Sequence, residues 1–369
     1  MKVALFHDYF APPGQSGGGE KLALLLAQAY DADIYTGFAA KEFEGLEAFR
    51  VTEISTPSSP GLRTFRTMRA FERLMLPHYD LYLFSGTACI MAAARHKPNL
   101  LYMHTPPRYL YDLRQWYDTH STFSRQIALR ILRHYVYPRD QAAVRTFDKI
   151  VTNSETVRKR ILRYYGAEIY RKSSAVYSFV DLPKYRHRPP QDYYVSNARL
   201  DPLKRVDLVV KAFCQMPDKK LIVLSTGPAE KQIRTLAHGH DNIEFTGWVD
   251  ERRMIDIMSR CIATIQMPVN EDLGLGAIES MACGKPCIGA REGGLTETII
   301  HRKTGILTSP TIEEITRAVR YVTPARSRGM RQACRSQAAH FSQRAFLQRF
   351  HRATNDVVAA YKRAQHLNK

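Results

Sequence analysis

Residues 268–298 read PVNEDLGLGAIESMACGKPCIGAREGGLTET, and the order of residue types in this run decides how the chain is read. A turn-prone Pro268-Val269-Asn270 leads into two acids, Glu271 and Asp272, and then into Leu273, Gly274, Leu275 and Gly276. Ala277-Ile278-Glu279-Ser280-Met281-Ala282 continues well as a helix, and Gly284 followed by Pro286 stops it. The pattern predicts a loop, a glycine-bearing turn and a short helix that opens on that turn. Amides at such a turn are free to face an anion, and the helix dipole adds about half a positive charge there. Glu271 lies just before the turn and Glu279 about one helical turn inside, so a phosphorylated ligand there would have one acid near its transferred group and the other near a ribose hydroxyl.

On either side of this run, strand and helix patterns alternate. MKVALFHDYF reads as a buried strand, APPGQSGGGEK as a glycine-rich turn and LALLLAQAYD as a helix. This placement lets a backbone approach a ligand closely. It is not G-x-G-x-x-G, and no acid at the expected distance supports a dinucleotide site. Leu81-Tyr-Leu-Phe-Ser and Leu100-Leu-Tyr-Met read as strands, and the second delivers His104-Thr105-Pro106-Pro107-Arg108-Tyr109 at its carboxyl end. In an open parallel sheet that end faces the ligand crevice. Residues 178–192, SFVDLPKYRHRPPQD, form a Pro- and charge-rich domain boundary. A second series then begins at Tyr193, with Arg199 and Lys204 ahead of the helical VDLVVKAFCQM and Gly227 at the end of the strand that starts at Leu221. Residues 311–323, 326–338 and 346–365 read as helices.

The chain has 369 residues, room for two domains of ordinary size. No apolar run approaches the ~20 residues of a membrane-spanning helix, and the N-terminus is too short and polar for a secretory leader. The six cysteines sit among small or apolar neighbours and read as reduced packing residues of a cytosolic protein. No His or Cys set completes a zinc site around Cys283 and Cys287. The net charge of +19 favours a polyanionic partner: nucleic acid, anionic lipid or phosphorylated substrate. Part of that charge is clustered on amphipathic segments. In residues 62–76 (LRTFRTMRAFERLML) and 125–145 (RQIALRILRHYVYPRDQAAVR), arginines alternate with apolar residues at helical spacing. Each segment fits either a helix lying in the interface of an anionic membrane or a core-facing helix with a solvated basic face. No nucleic-acid motif accompanies the charge.

Glu-x7-Glu with its internal GLG, followed by MACGKP and GG, resembles the donor-site signature of retaining family 4 glycosyltransferases of the GT-B fold, and YMHTPPRYLYD is similar to a segment of the family's bacterial O-antigen and lipopolysaccharide mannosyltransferases. The resemblance covers nearly the whole chain. It implies an α/β fold of two Rossmann-like domains facing a central cleft: an N-terminal acceptor-binding domain at 1–178, a linker at 179–192 and a nucleotide-sugar-binding domain at 193–345. A C-terminal helix at 346–369 would cross back to the first domain. The implied reaction moves a hexose, foremost mannose from GDP-mannose, with retention of configuration, onto a glycan or polyprenyl-linked glycan acceptor.

In the roles the resemblance implies, Arg199 and Lys204 hold the donor diphosphate, where fixed cations must stabilise the charge of a departing nucleotide without a metal. Glu271 holds sugar hydroxyls, and His104 contacts donor sugar or acceptor directly or through its backbone. Asp272, Leu273, Gly274, Leu275, Gly276, Glu279, Gly227, Gly18 and Gly19 complete the donor site, while Gly17, Arg108 and Asp112 are acceptor candidates. No metal or other cofactor is expected. The enzyme would work in the cytoplasm, peripherally on the inner face of the cell membrane. The alternatives are another UDP- or GDP-sugar with a soluble acceptor, and a basic nucleic-acid-binding protein that would leave Glu-x7-Glu unexplained.

Overall fold

The computed structural model describes residues 1–12, 17–55 and 60–367. The chain divides into two compact units, one of residues 1–176 with 347–369 and the other of residues 177–346. The second unit therefore takes in the stretch read as a linker.

The first unit is built on seven parallel strands: β1 (Val3–Phe10), β2 (Asp33–Ala39), β3 (Val51–Glu53), β4 (Leu81–Ser85), β5 (Asn99–Met103), β6 (Lys149–Thr152) and β7 (Ser173–Ala175). Their order across the sheet is β3-β2-β1-β4-β5-β6-β7. The short edge strands β3 and β7 carry too little apolar pattern to be read from sequence. The central strands are near-continuous apolar runs because helices cover both faces of a parallel sheet. Helix Gly18–Tyr30 follows β1 and buries Leu22, Leu25 and Leu26 against it. It begins earlier than its apolar pattern suggested, so Gly18 and Gly19 form its first turn. The Gly17 amide donates to the Glu20 carboxylate at 2.9 Å, which starts the helix without an apolar residue.

The second unit repeats the arrangement with six parallel strands: β8 (Tyr194–Ser196), β9 (Leu221–Leu224), β10 (Ile243–Gly247), β11 (Thr264–Gln266), β12 (Cys287–Ala290) and β13 (Gly305–Thr308), ordered β10-β9-β8-β11-β12-β13. In each sheet the order reverses once, between β1 and β4 and between β8 and β11. Loops leaving the carboxyl ends of those strands diverge and open a crevice.

Helix Gln343–Leu367 leaves the second unit and ends in the first. Phe350 is fully buried there, its ring 6.0 Å from that of Tyr30 and 6.2 Å from that of Tyr102. The hydroxyls of Tyr30 and Thr354 hydrogen-bond at 2.9 Å.

The six cysteines are free thiols, and five are buried. Burial pushes the Cys283 and Cys287 thiols up to about 12, so neither is a ready thiolate ligand. Among the described residues no helix is long and apolar enough to cross a membrane.

The terminal helix is predicted to be part of the first unit's core. Phe350→Ala should destabilise the protein by about 3–5 kcal/mol in urea unfolding, the range for a truncated buried aromatic. An exposed change such as Arg363→Ala should have little effect.

Candidate active site

In the second unit the loops at the sheet reversal carry the residues singled out in the sequence. After β8 the chain runs through Asn197 to the exposed Arg199, then through a 3-10 turn at Pro202–Lys204 whose Leu203 amide is capped by the Asp201 carboxylate at 2.9 Å. After β11 it runs through Val269 and Asn270 to Glu271. The two loops are stitched by the Val269 amide donating to the Leu203 carbonyl at 2.7 Å. Lys204 and Glu271, 67 residues apart in sequence, therefore meet: Nζ to Oε2 is 2.7 Å, with side chains 35% and 22% exposed. The resemblance had given one to the diphosphate and the other to the sugar. In this structure each is the other's partner.

Glu292, which the sequence reading passed over, clamps the same loops. Its Oε1 accepts from the Arg205 guanidinium at 2.8 Å and from the Asn270 amide at 2.9 Å. Behind it, the Gly294 amide donates to the Glu271 carbonyl at 2.7 Å. A Cβ on Gly294 would lie 2.3 Å from the Asp272 carbonyl oxygen, so only glycine permits this approach.

The short helix after the turn is Leu275–Ala282. Gly274 precedes it at φ 88°, a left-handed conformation that favours glycine. The first amides of a helix have no acceptor within it, so those at 274–276 are left without a partner from the helix itself. Gly276 lies under Gln266, whose Nε2 a Cβ would meet at 2.1 Å. That same amide donates to Asn197 Oδ1 at 2.8 Å, tying β11 to the loop after β8. Gly227 fits against the backbone of Leu200, with a Cβ position 2.4 Å from its carbonyl oxygen. Glu279 is half-buried beside Tyr185. Burial first, then the negative Glu279 carboxylate, pushes the Tyr185 phenol upward, leaving its hydroxyl a donor to Glu279. Tyr185 lies in the stretch read only as a connection.

The first unit gathers a smaller cluster at its own reversal. His7 ends a buried run of β1 and faces Ser85 of β4 in register. His7 Nδ1 donates to the Ser85 carbonyl at 2.5 Å, while Ser85 Oγ lies 3.0 Å from His104 Nε2. A Cβ on Gly19 would be 3.9 Å from both imidazoles, so the helix start covers the pair. Burial first, then the neighbouring His7, pushes His104 down to about 4, which keeps it neutral at ordinary pH. Arg108 and Asp112 pair with each other, NH2 to Oδ2 at 2.8 Å, with Arg160 at 3.9 Å from the same oxygen. Gly17 is exposed at the helix start, and residues 13–16 of the glycine-rich turn lie outside the described residues.

Two family models divide the chain between them. Residues 16–184 match "Glycosyltransferase Family 4" and residues 180–341 match "Glycosyl transferases group 1". Together the two models take in residues 16–341, which supports a glycosyltransferase of the GT-B type. The chain is 36% identical over 120 residues to N-acetyl-alpha-D-glucosaminyl L-malate synthase of Bacillus anthracis, covering 31% of the chain and 30% of that relative. It is 30% identical over 159 residues, 42% of the chain and 41% of the relative, to a GDP-mannose-dependent alpha-(1-6)-phosphatidylinositol dimannoside mannosyltransferase of Mycobacterium tuberculosis. These matches span less than half of each relative. The crystal structure of Anabaena HepE in complex with UDP and glucose superposes with a TM-score of 0.72 over 95% of this chain and 98% of that one, at 17% identity. This likeness shows the GT-B fold.

Among the residues the sequence left unmarked, Glu292, Gln266, Asn197, Ser85 and His7 have no spacing rule of their own. They become visible only when the loops are packed.

The His104 pair makes stability pH-dependent. Its folded pKa lies below the ordinary histidine value, so the folded chain binds fewer protons than the unfolded chain between those two values. The stability it contributes is full above about 6.5 and is lost as pH falls towards about 4. Melting temperature should fall across that window, and His104→Gln should flatten the slope.

Proposed function

We propose that the chain is a retaining hexosyltransferase that moves mannose from GDP-mannose onto a glycan or polyprenyl-linked glycan acceptor in surface polysaccharide synthesis. The observation that carries this reading is the meeting of Lys204 and Glu271 beside the glycine-opened helix of residues 275–282. A cation, a carboxylate and helix-start amides at one place match the parts of a sugar diphosphate: charge for charge, and acceptor for hydroxyl.

In the proposed reaction the bond between the anomeric carbon and the diphosphate oxygen breaks. Lys204, Arg199 and the amides of residues 274–276 stabilise the charge that gathers on the leaving group. The acceptor hydroxyl oxygen bonds to the same face of the anomeric carbon, and its proton passes to the departing phosphate. Glu271 orients sugar hydroxyls, and Glu279 with Tyr185 serves the ribose. His104 of the first unit, held neutral, serves as a hydrogen-bonding group for the acceptor. The mannosyltransferase relative supports the GDP-mannose reading. The Anabaena structure, with its UDP and glucose, supports a UDP-sugar as the alternative donor.

The acceptor side of the proposal places the enzyme on an anionic membrane surface, and a specific feature of the first unit supports it. On helix Pro60–Arg73, Met68 and Phe71 turn into the core. Helix Phe123–Arg145 differs: Phe123, Ile127 and Ile131, spaced by four, are 78%, 44% and 61% exposed. Arg125 and Arg130 flank this stripe, and a basic hollow of about 460 Å³ between Arg114, Arg130 and His134 lies beside it. Apolar side chains ringed by cations suit a layer of acyl chains beneath phosphates.

A donor screen decides the first part. Wild-type protein should hydrolyse or transfer from GDP-mannose in preference to UDP-glucose, UDP-GlcNAc and GDP-fucose. Lys204→Ala and Glu271→Ala should each lower turnover at least about a hundredfold while melting near the wild-type temperature. Near-native turnover in either would remove that residue from the reaction. For the second part, Ile127→Ser with Ile131→Ser should weaken flotation with phosphatidylglycerol-containing vesicles by at least about tenfold. Salt should weaken the wild type as well, and tighter binding to RNA than to vesicles would count against the membrane reading.

A further inference from the structure

We propose that the Lys204–Glu271 ion pair discriminates between a nucleotide still carrying its sugar and the bare nucleoside diphosphate left after transfer, disfavouring the second. The inference rests on reading the second unit as a sugar-nucleotide site and concerns what the carboxylate does before and after the reaction.

The two loops that carry the pair are tied to each other. Glu292 binds the Arg205 side chain and the Asn270 amide together, and the Leu203 carbonyl accepts the Val269 amide, so the backbones on both sides of the pair are fixed. The Glu271 carbonyl is held in turn by the Gly294 amide. Any phosphate that engages the Lys204 ammonium therefore arrives within reach of the Glu271 carboxylate, 2.7 Å from that ammonium.

The two ligands meet this arrangement differently. In a sugar nucleotide both phosphates are esterified, and the sugar brings hydroxyl donors. As Lys204 turns to the phosphate, Glu271 exchanges its ammonium partner for hydroxyls and stays satisfied. A bare nucleoside diphosphate ends in a phosphate with a second ionisation near neutral pH and brings no such donor. It takes Lys204 from Glu271 and leaves an unpartnered carboxylate beside added negative charge, an arrangement that costs binding energy. The charge of Glu271 thus opposes the product, while its hydrogen-bonding capacity favours the substrate. Glutamine keeps most of that capacity and removes the charge.

The test is titration calorimetry of the full chain with GDP, UDP, GDP-mannose and UDP-glucose, comparing wild type with Glu271→Gln. For a pair as exposed as this one, Glu271→Gln should tighten binding of the bare diphosphate by roughly two- to tenfold. The sugar nucleotide should bind no more tightly, so the preference for it shrinks. Glu271→Ala should move the preference in the same direction and serves if the glutamine variant does not fold. A folded variant that binds the bare diphosphate equally or more weakly overturns the discrimination but leaves the sugar-nucleotide reading standing. A wild-type chain that binds none of the four overturns both.

Discussion

An ammonium and a carboxylate held 2.7 Å apart, on loops that no strand joins, are the constraint around which the second unit is arranged. Apart from the single 3-10 turn at Pro202–Lys204 these loops have no regular structure, so most of their backbone groups must find partners elsewhere. They find them in each other and in the segment after β12: Leu203 with Val269, Glu271 with Gly294, and Asn270 with the Glu292 carboxylate. The absence of a side chain at Gly294 lets that segment press against Asp272. A methyl group there would collide with the Asp272 backbone and force one of the two segments to shift.

Both units use the same device of topology. A parallel sheet whose strand order reverses once leaves a gap between diverging loops. The first unit fills its gap with neutral imidazoles under a glycine-started helix, the second with an ion pair beside one. The contrast is electrostatic. Burial holds His104 uncharged at ordinary pH, whereas Lys204 and Glu271 remain partly in water, where a charged pair costs less to keep and can exchange partners. The first unit thus presents hydrogen-bonding groups and the second presents charge.

The excess of positive charge has more than one use. Some arginines are consumed inside the fold: Arg133 donates to the Tyr109 carbonyl and to Asp118, and Arg108 and Arg160 surround Asp112. Others stand on the surface beside exposed Phe123, Ile127 and Ile131. A count of +19 cannot separate these groups, since a buried guanidinium and a solvated one add the same unit.

What the linear order determined by itself was the alternation of apolar strands with helices, and the Glu-x7-Glu run with its turn and helix. These are local matters: period, capping and glycine tolerance act over a few residues and leave their mark on the residues themselves. Tertiary structure alone decided which distant groups became partners. Lys204 met Glu271, Glu292 joined Arg205 to Asn270, Tyr185 took a position beside Glu279, Arg108 closed on Asp112, and one basic helix turned Met68 and Phe71 inward while the other left Phe123, Ile127 and Ile131 outside. Such pairings depend on where loops land after strands have stacked, and no spacing along the chain encodes that, because the energy that selects them comes from contacts between segments tens of residues apart.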